Sequence, residues 1–529
     1  MTVDSQTAPQ TQDASLFKRP KVYIIGVGMT AFTKPLTSGK DYPELVKEAV
    51  GEALNDAGVR YEQIQQATAS YMYGGSCCGQ RALYEIGLTG IPIFNLNNAC
   101  ASGSSGIFLC KQIIESGNVD LMLAVGFEKM QPGSLENSPE HLDDRALPVE
   151  KHIQLMADTY GLQAAPITSQ MFGNAGREHM EKYGTTREHF AKIAWKNHLH
   201  SVHNNKSQFQ REFSLDEVVN ARKIYDYMGL FECSPTSDGA AAVIICSEKY
   251  IEQNPHLKPQ AVEIVGIELG TDEPSVFAEN SNIKMVIELH DCFAPNELIT
   301  YEALGLCPIG KAGEIVDKGD NTYGGKWVIN PSGGLISKGH PIGATGIAQA
   351  VELCNQLRKR CGARQVNNAV YALQHNIGIG GAGVVAIYKL GFPELANKNK
   401  EENGEMSSEF KSDAIFEEIK ERAEQEIDLV KQVGSCFKFI ISSPNSSKKR
   451  EWIVDLKCSP PFVGLSNNKE NTKPEVTLTL DDQILMNIAK GKIKPDQAFL
   501  QRKLKISGDF KKAMKLKDIL DPKKLKSRI

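Results

Sequence analysis

The sequence predicts an α/β protein of several domains that ends in a small α+β domain. A chain of 529 residues is too long for one hydrophobic core, because compact domains usually span about 100 to 200 residues. Short apolar runs alternate with segments of helical periodicity, which is typical of a buried sheet covered by helices. Beyond residue 390 the composition becomes polar and then basic, which indicates a linker followed by a separate domain.

The overall composition argues against a membrane protein or a secreted one. Hydrophobic residues make up 41% of the chain and charged residues 23%, and no stretch approaches the roughly 20 apolar residues of a membrane span. Residues 1–19 are polar without an apolar core, so we expect a disordered tail there and not a secretory signal. The 12 cysteines show no CxxC pair, which favours free thiols over a zinc site or a disulfide scaffold.

The first 392 residues carry the pattern of a buried sheet in two similar halves. The apolar run 21–27 precedes the helical pattern of 45–57, which predicts a strand and then a helix. Further strands are predicted at 121–125, 242–246, 262–267, 328–329 and 384–387. Because AVEIVGIELG (261–270) faintly echoes KVYIIGVGMT (21–30), we expect one half over residues 20–257 and a similar half over 258–392.

Two stretches lack this pattern. The stretch from about residue 130 to about residue 232 is polar and irregular, which indicates either a loop excursion over an active-site mouth or an ordinary loop. Residues 393–411 are rich in Lys, Glu, Asn and Ser without apolar periodicity, so we expect a linker there.

The segment 412–529 is predicted to form the small α+β domain. Apolar residues recur every four positions from Ile415 to Ile427, as in an amphipathic helix, and they alternate with threonine in EVTLTL (475–480), as in a half-buried strand. From Ser408 onward the chain has 25 Lys and Arg against 18 Asp and Glu. Such a basic surface suits anionic lipids or acidic proteins, and equally a solvated face without a partner. The many apolar side chains allow either a ligand cavity or a well-filled core.

Four short segments carry the candidate chemistry, and two of them contain cysteine. Cys100, in NNACASGSSG (97–106), follows an apolar run and precedes a helical pattern. A helix N-terminus favours the thiolate form of a cysteine, although an inert buried cysteine in a tight turn has the same pattern. His290 and Cys292, in HDCFA, are two proton-carrying groups two residues apart, and in an extended stretch their side chains point the same way.

Two glycine-dense loops complete the set. His340 lies in NPSGGLISKGHPIGATG (330–346), where glycines let the backbone approach a ligand and Pro341 restricts the turn. The segment QHNIGIGGAG (374–383) is a second bare backbone loop whose N–H groups can face an oxyanion. Each segment alone is weak evidence, whereas their joint presence is specific.

Together the four segments resemble the thiolase superfamily, in the type that is fused to a C-terminal sterol carrier domain. Cys100-Ala101-Ser102 matches the nucleophile motif C-x-S, HDCF (290–293) matches the form found in this type, and Gly339-His340-Pro341 matches G-H-P. The resemblance covers about residues 20–392, and the basic segment GKIKPDQAFLQRKLKISGDFKKAMKL resembles the sterol carrier domain. It implies the thiolase fold of two similar βαβαβαββ halves in five layers, followed by the small α+β domain.

The resemblance implies thiolytic cleavage of a 3-oxoacyl-CoA, including 2-methyl-branched forms, by free CoA. The products would be a shortened acyl-CoA and acetyl-CoA or propanoyl-CoA. Cys100 would be the nucleophile and His340 its base, while His290 and His340 polarise the ketone oxygen. No metal and no cofactor are implied, and CoA is a substrate.

One departure from the family pattern concerns the second catalytic cysteine. Most thiolases carry it in a C-terminal C-x-G motif, whereas this chain has His375-Asn376-Ile377-Gly378 there. By resemblance, Cys292 inherits the role of proton donor to the departing carbanion. Gly380 is our choice for a further oxyanion-hole donor.

The resemblance also implies partners. The C-terminal domain would bind fatty acids, fatty acyl-CoA or sterols. Ser527-Arg528-Ile529 has the small, basic, aliphatic order of a peroxisomal address, so we expect recognition by the peroxisomal import receptor, a location in the peroxisome and a role in fatty acid β-oxidation. We expect a homodimer, and nothing indicates nucleic acid binding.

Two other functions stay open at this point. A condensing 3-oxoacyl synthase also uses one cysteine and two histidines, although decarboxylative condensation has no need for a second thiol such as Cys292. A non-catalytic lipid-transfer protein is disfavoured by the intact set Cys100, His290, Cys292 and His340. The sequence does not set the acyl chain length or branching, the natural lipid, the oligomeric state beyond a dimer, or whether the linker is cut.

Overall fold

The computed structural model describes residues 19–133, 149–271, 288–367, 369–396, 410, 412–425, 430, 432–443, 449–457, 461–466 and 474–520. The chain divides into two compact units, Met1–Ala396 and Asn397–Ile529. Three parts of the sequence interpretation lie outside the described residues. They are the expected tail over 1–19 except for its last residue, most of the expected linker over 393–411, and the tripeptide 527–529. Among the described residues no helix is long and apolar enough to cross a membrane.

The first unit is built on one sheet of eight strands. Its strands are β1 (Val22–Met29), β2 (Gln66–Ser70), β3 (Ile93–Leu96), β4 (Leu121–Glu128), β7 (Gly239–Ser247), β8 (Val262–Gly270), β9 (Tyr371–Gly378) and β10 (Ala382–Leu390). The short strands β5 (Lys223–Tyr225) and β6 (Met228–Gly229) form a separate pair. The order in the large sheet is β3-β2-β4-β7-β1-β8-β10-β9, so five strands of the N-terminal half lie beside three of the C-terminal half. The two halves meet where Tyr23 and Ile24 pair with Glu263 and Val262.

Twelve helices of the first unit are described. They are α1 (Tyr42–Ala57), α2 (Cys78–Tyr84), α3 (Ser102–Glu115), α4 (Glu150–Tyr160), α5 (Ile167–Tyr183), α6 (Arg187–Ser201), α7 (Leu215–Val219), α8 (Glu248–Gln253), α9 (Ala294–Ala303), α10 (Ala312–Lys318), α11 (Gly334–Lys338) and α12 (Thr345–Leu357). The first of them begins at a capping box formed by Asp41 and Glu44 and ends at Gly58, whose φ is +64°. The predicted strand 21–27 and helix 45–57 are therefore confirmed.

Helices α3 and α12 carry the functional loops and share one buried core with β1, β4, β7, β8 and β10. The backbones around them approach closely. A Cβ atom placed at Gly103 would lie 2.8 Å from the carbonyl oxygen of Gly343, and one placed at Gly126 would lie 2.2 Å from the same oxygen. Only glycine fits at these two positions, and the loop containing Gly343 is therefore pressed against the start of α3.

The stretch expected as an irregular excursion over about 130–232 is instead largely helical in its described part, which contains α4 to α7. The clearest reason lies in α5 and α6, whose buried sides are largely polar. Helix α6 buries Lys196, Asn197, His198 and His200 together with Phe190 and Ile193. A helix that buries histidine, asparagine and lysine shows little apolar periodicity, so its sequence resembles that of a loop.

The second unit has a five-stranded sheet in the order β13-β12-β11-β14-β15. Its strands are β11 (Cys436–Ser442), β12 (Lys449–Asp455), β13 (Phe462–Leu465), β14 (Val476–Asp481) and β15 (Leu504–Gly508), and its described helices are α13 (Asp413–Gln425), α14 (Asp482–Ala489), α15 (Pro495–Leu500), α16 (Phe510–Ala513) and α17 (Leu516–Ile519). The ring of Phe416 stacks on Trp452 with centroids 4.6 Å apart. The α/β class of the first unit and the small α+β class of the second are as predicted.

One further local prediction was wrong. Residues 328–329 are not a strand, because Ile329 instead presents its carbonyl oxygen to Lys196 in a buried polar network. The segment 290–292 lies outside the strands and forms the approach to α9.

Candidate active site

Cys100 lies in the tight connection between β3 and α3. The backbone N–H of Asn98 donates to the Ser102 hydroxyl at 2.8 Å, and this hydroxyl donates to the carbonyl oxygen of Ala99 at 2.6 Å. Ala99 takes a positive φ of 47° to close the turn. The thiol is 5% exposed and packs with Met130 and Ile342.

Burial raises the pKa of the Cys100 thiol to about 12, and the nearby Glu128 carboxylate adds to the rise. Hydrogen bonds from the backbone N–H groups of Cys100 itself and of Ile379 act in the opposite direction without reversing it. This burial opposes the expectation that the helix N-terminus favours thiolate, because desolvation disfavours the charged form of the thiol. A thiol in this state would need a base in order to act as a nucleophile.

His340 supplies a suitable basic atom. Its backbone N–H donates to the Ser237 hydroxyl at 3.1 Å, and its Nδ1 lies 2.6 Å from the Thr345 hydroxyl. Its Nε2 is buried without a hydrogen-bond partner among the described residues. Burial lowers the pKa of His340 to about 3, so the ring is neutral at physiological pH and able to accept a proton.

His290 and Cys292 lie in the segment that leads into α9. His290 Nδ1 is 2.8 Å from the side-chain nitrogen of Asn376, and its carbonyl oxygen accepts from Asn296. Burial, and secondarily the rings of His340 and His375, lower the pKa of His290 well below its usual value. Burial, and next the proximity of Cys100, raise the pKa of Cys292 well above its usual value, so this thiol keeps its proton.

The fold brings three of the predicted residues together. Cys100, His290 and His340 each contribute one atom to a set whose members all lie within 4.8 Å of one another. The two imidazole rings are nearly perpendicular, at 82°, with centroids 5.3 Å apart. Cys292 stands outside that set but close enough for Cys100 to affect its pKa. A cysteine and two histidines at this distance are also a donor set for a soft metal ion.

Gly380 lies in the turn between β9 and β10 with a φ of +105°. The backbone N–H that reaches the Cys100 thiol belongs to its neighbour Ile379. Gly380 as an oxyanion donor thus remains a prediction, and Ile379 is a candidate that the sequence did not single out.

Several other site residues were missed by the sequence interpretation. Glu128 ends β4 and accepts the backbone N–H groups of Tyr73 at 3.0 Å and Gly343 at 2.9 Å, so it ties two site loops together. Burial raises the pKa of Glu128 to about 7. Asn376 and Thr345 hold the two histidines. Asn376 and Thr345 lie inside the two quoted glycine-dense loops, whereas Glu128 lies outside every quoted segment. An isolated glutamate, asparagine or threonine has no characteristic spacing that would mark it.

Family models match three parts of the chain. Residues 22–249 match the thiolase N-terminal domain, residues 278–389 match the thiolase C-terminal domain-like family, and residues 416–521 match the SCP-2 sterol transfer family. The order agrees with the two compact units.

Curated relatives cover the chain almost completely. It is 51% identical to Sterol carrier protein 2 of Bos taurus over 96% of this chain and 98% of the relative, and 48% identical to the Homo sapiens protein of that name over 94% and 96%. It is 70% identical to Non-specific lipid-transfer protein-like 2 of Caenorhabditis elegans over 72% of this chain and 98% of the relative.

Solved structures share the fold of the first unit. Human mitochondrial 3-ketoacyl-CoA thiolase in complex with CoA is 19% identical and superposes with a TM-score of 0.52, covering 70% of this chain and 98% of that one. The Ltp2-ChsH2(DUF35) aldolase superposes with a TM-score of 0.58 at 20% identity, covering 70% and 99%. The predicted thiolase fold is thereby confirmed.

Proposed function

Because this chain belongs to the sterol carrier protein 2 family, in which a thiolase is followed by a sterol carrier domain, we propose that Cys100, His290, Cys292 and His340 carry out its thiolytic reaction. The reaction is cleavage of a 3-oxoacyl-CoA by free CoA, and the enzyme is an acyltransferase. The observation that supports the assignment most strongly is the convergence of Cys100 and both histidines within 4.8 Å, from three distant parts of the chain.

In the first half-reaction, Cys100 attacks the 3-oxo carbon while its proton moves to His340 Nε2. Coupled transfer is required, because the pKa of the buried thiol is raised and that of His340 is lowered. The ketone oxygen gains negative charge, and N–H donors stabilise it, each worth about 3 kcal/mol in comparable sites. These donors are His290, the protonated His340 and the backbone N–H groups near Cys100.

Carbon–carbon cleavage then needs an acid. The bond between C2 and C3 breaks, its electron pair stays on C2, and the Cys292 thiol protonates that carbon to release acetyl-CoA or propanoyl-CoA. The raised pKa of Cys292 suits this role, since the group must arrive protonated. In the second half-reaction, the Cys292 thiolate takes the proton of free CoA, whose sulfur attacks the acyl thioester and frees Cys100.

The shape and burial of the site favour this function over the two alternatives. Cys292 is 5% exposed beside Cys100, and a condensing synthase has no use for that thiol. A non-catalytic lipid-transfer protein has no need to keep two histidines aligned on a buried cysteine. The second unit adds lipid binding, which its SCP-2 sterol transfer match supports.

We extend the proposal to the setting of the enzyme. The substrates include 2-methyl-branched 3-oxoacyl-CoA, the C-terminal unit takes fatty acids, fatty acyl-CoA or sterols, and the active form is a homodimer. The peroxisomal import receptor recognises Ser527-Arg528-Ile529. The enzyme is therefore located in the peroxisome and acts in fatty acid β-oxidation there.

The assignment of Cys100 is tested by trapping the acyl-enzyme. The full chain is mixed with a simple acyl-CoA, digested and examined by mass spectrometry. We expect the acyl mass on the peptide containing Cys100 and on no other cysteine peptide. Acylation of Cys292 alone would overturn the assignment of roles.

A further inference from the structure

A chain of buried polar side chains lies behind His290. It runs from Tyr388 through Gln374 and Ser104 to Asn376, and all four are completely buried. The chain joins β9, β10 and α3 at the core of the first unit. Because these side chains are buried away from solvent, the direction of each hydrogen bond is determined by the neighbouring protein donors and acceptors.

The direction of the chain is anchored at a backbone carbonyl, which can only accept. The side-chain nitrogen of Gln374 donates to the carbonyl oxygen of Gly346 at 2.6 Å, and the Tyr388 hydroxyl donates to the amide oxygen of Gln374 at 2.7 Å. A rotated Gln374 amide would turn its oxygen to the carbonyl oxygen of Gly346, two acceptors with no proton between them, so the observed orientation is favoured. Its nitrogen also donates to the Ser104 hydroxyl oxygen, at 2.7 Å.

The remaining bonds follow from this anchor. The Ser104 hydroxyl accepts from Gln374 and has no other acceptor for its own proton among the described residues, so that proton goes to the amide oxygen of Asn376, at 2.7 Å. The Asn376 amide then presents its nitrogen to His290 Nδ1, at 2.8 Å. An N–H can only donate, so Nδ1 of His290 must be the unprotonated nitrogen and Nε2 must carry the proton.

His340 is held in the other tautomer. The Thr345 hydroxyl lies 2.6 Å from Nδ1 and donates to the carbonyl oxygen of Pro341 at 2.9 Å, so it accepts from Nδ1–H. In the reverse arrangement the hydroxyl would give up its bond to Pro341, and a buried Nε2–H would have no acceptor among the described residues.

We propose that Ser104, Gln374 and Asn376 are positioning residues that set the tautomer of His290, so that His290 starts the cycle as an N–H donor while His340 starts it as a proton acceptor. The catalytic consequence of this inference rests on the proposed function, whereas the hydrogen-bond geometry around the two histidines does not. Two chemically identical rings thereby receive opposite tasks. Neutral rings are required for such a division, and burial lowers the pKa of both.

The direct test is the nitrogen NMR spectrum of the full chain labelled with ¹⁵N-histidine. The His290 signals are identified by their loss in a His290→Gln variant. We expect the chemical shifts and couplings of a ring protonated at Nε2 in the wild type near neutral pH. A wild-type His290 protonated at Nδ1 would overturn the proposal, whether or not the protein has thiolase activity.

Two variants then test the relay, which is the hydrogen-bond chain from Gln374 through Ser104 to Asn376. Asn376→Asp replaces the donor by an acceptor, and we expect the His290 proton at Nδ1 with kcat lowered about 10²-fold, the usual loss for one oxyanion donor, and KM little changed. Ser104→Ala frees Asn376 to rotate, with mixed tautomer signals and a loss of about tenfold, comparable to one neutral hydrogen bond.

Thr68→Val is the matched control. It removes another buried hydroxyl, which donates to the carbonyl oxygen of Gly106 in α3 and makes no contact with the relay. Its His290 signals should match those of the wild type. If Ser104→Ala and Asn376→Asp both retain the wild-type tautomer, the relay does not set it. Should Asn376→Asp fail to fold, the spectra of Ser104→Ala and of the wild type still show whether the relay sets the His290 tautomer. Absence of wild-type thiolysis would instead count against the proposed function.

Discussion

The carboxylate of Asp291 accepts the backbone N–H of Leu335 at 2.7 Å. It also accepts from Ile336 at 3.2 Å and from the side chain of Asn197 at 2.9 Å, so it caps the first turn of α11. Asp291 stands between His290 and Cys292, and α11 leads directly to His340. One completely buried carboxylate thus couples the segment that contains Cys292 to the loop that contains His340.

Asp291→Ala should therefore damage the site through its geometry. We expect a loss of about 3 kcal/mol in the free energy of unfolding, because three donors lose their acceptor, and at least a tenfold fall in kcat. Denaturant unfolding and steady-state thiolysis measure the two effects. Asp317→Ala, which removes a half-exposed carboxylate paired with Lys192, is the control and should change either quantity little. Wild-type kcat in Asp291→Ala would refute the coupling.

Cys292→Ala should separate the two half-reactions. Without the thiol, the C2 carbanion has no proton donor, so we expect thiolysis to fall by about 10² to 10⁴-fold, the usual contribution of general acid catalysis. Acyl loading of Cys100 from a simple acyl-CoA needs no such proton and should continue. Rapid-quench assays with both substrates measure the split. Cys233→Ala, which removes a partly buried thiol, should leave both reactions intact. Normal turnover in Cys292→Ala would show that another group is the acid.

The resting nucleophile should be a thiol and not a thiolate. Because the pKa of Cys100 is raised to about 12, the group stays protonated below that pH and becomes a thiolate only above it. The ultraviolet thiolate absorbance should therefore be the same in wild type and Cys100→Ser across neutral and mildly alkaline pH. A wild-type excess of one thiolate near neutral pH would mean that Cys100 and His340 rest as an ion pair.

The C-terminal unit should function independently of the catalytic one. Phe416→Ala removes a completely buried ring stacked on Trp452 and should destabilise that unit by about 3 to 5 kcal/mol. We expect loss of fluorescent fatty acid binding by the full chain, with thiolysis of a short 3-oxoacyl-CoA unchanged. The matched control is Phe510→Ala, whose ring is 53% exposed and which should retain the fold. Loss of thiolysis in Phe416→Ala would show that catalysis depends on the second unit.

The sequence was sufficient for the features that leave a pattern. Strands buried on both faces appear as apolar runs, as in 21–27 and 242–246, and three short motifs pointed to Cys100, His290 and His340. Helices α5 and α6 escaped prediction because they bury glutamine, asparagine, histidine and lysine, which removes the apolar stripe that marks a helix.

The electrostatic state of the site was also beyond the sequence. A helix N-terminus predicts a thiolate at Cys100, yet burial reverses that preference, and burial is a property of the packed structure. The tautomer inferred for His290 depends on Ser104, Gln374 and Asn376, which meet only when β9 packs against α3. Hydrogen-bond direction is a relation between distant residues, and no local motif encodes it.

The central claim is most directly tested by following propanoyl-CoA release from a 2-methyl-3-oxoacyl-CoA in the presence of free CoA. Wild type and Cys100→Ala are compared, together with a straight-chain 3-oxoacyl-CoA that yields acetyl-CoA. We predict CoA-dependent turnover of both substrates by the wild type and none by Cys100→Ala. Failure of the wild type on both substrates, or equal turnover by Cys100→Ala, would contradict the assignment of this site.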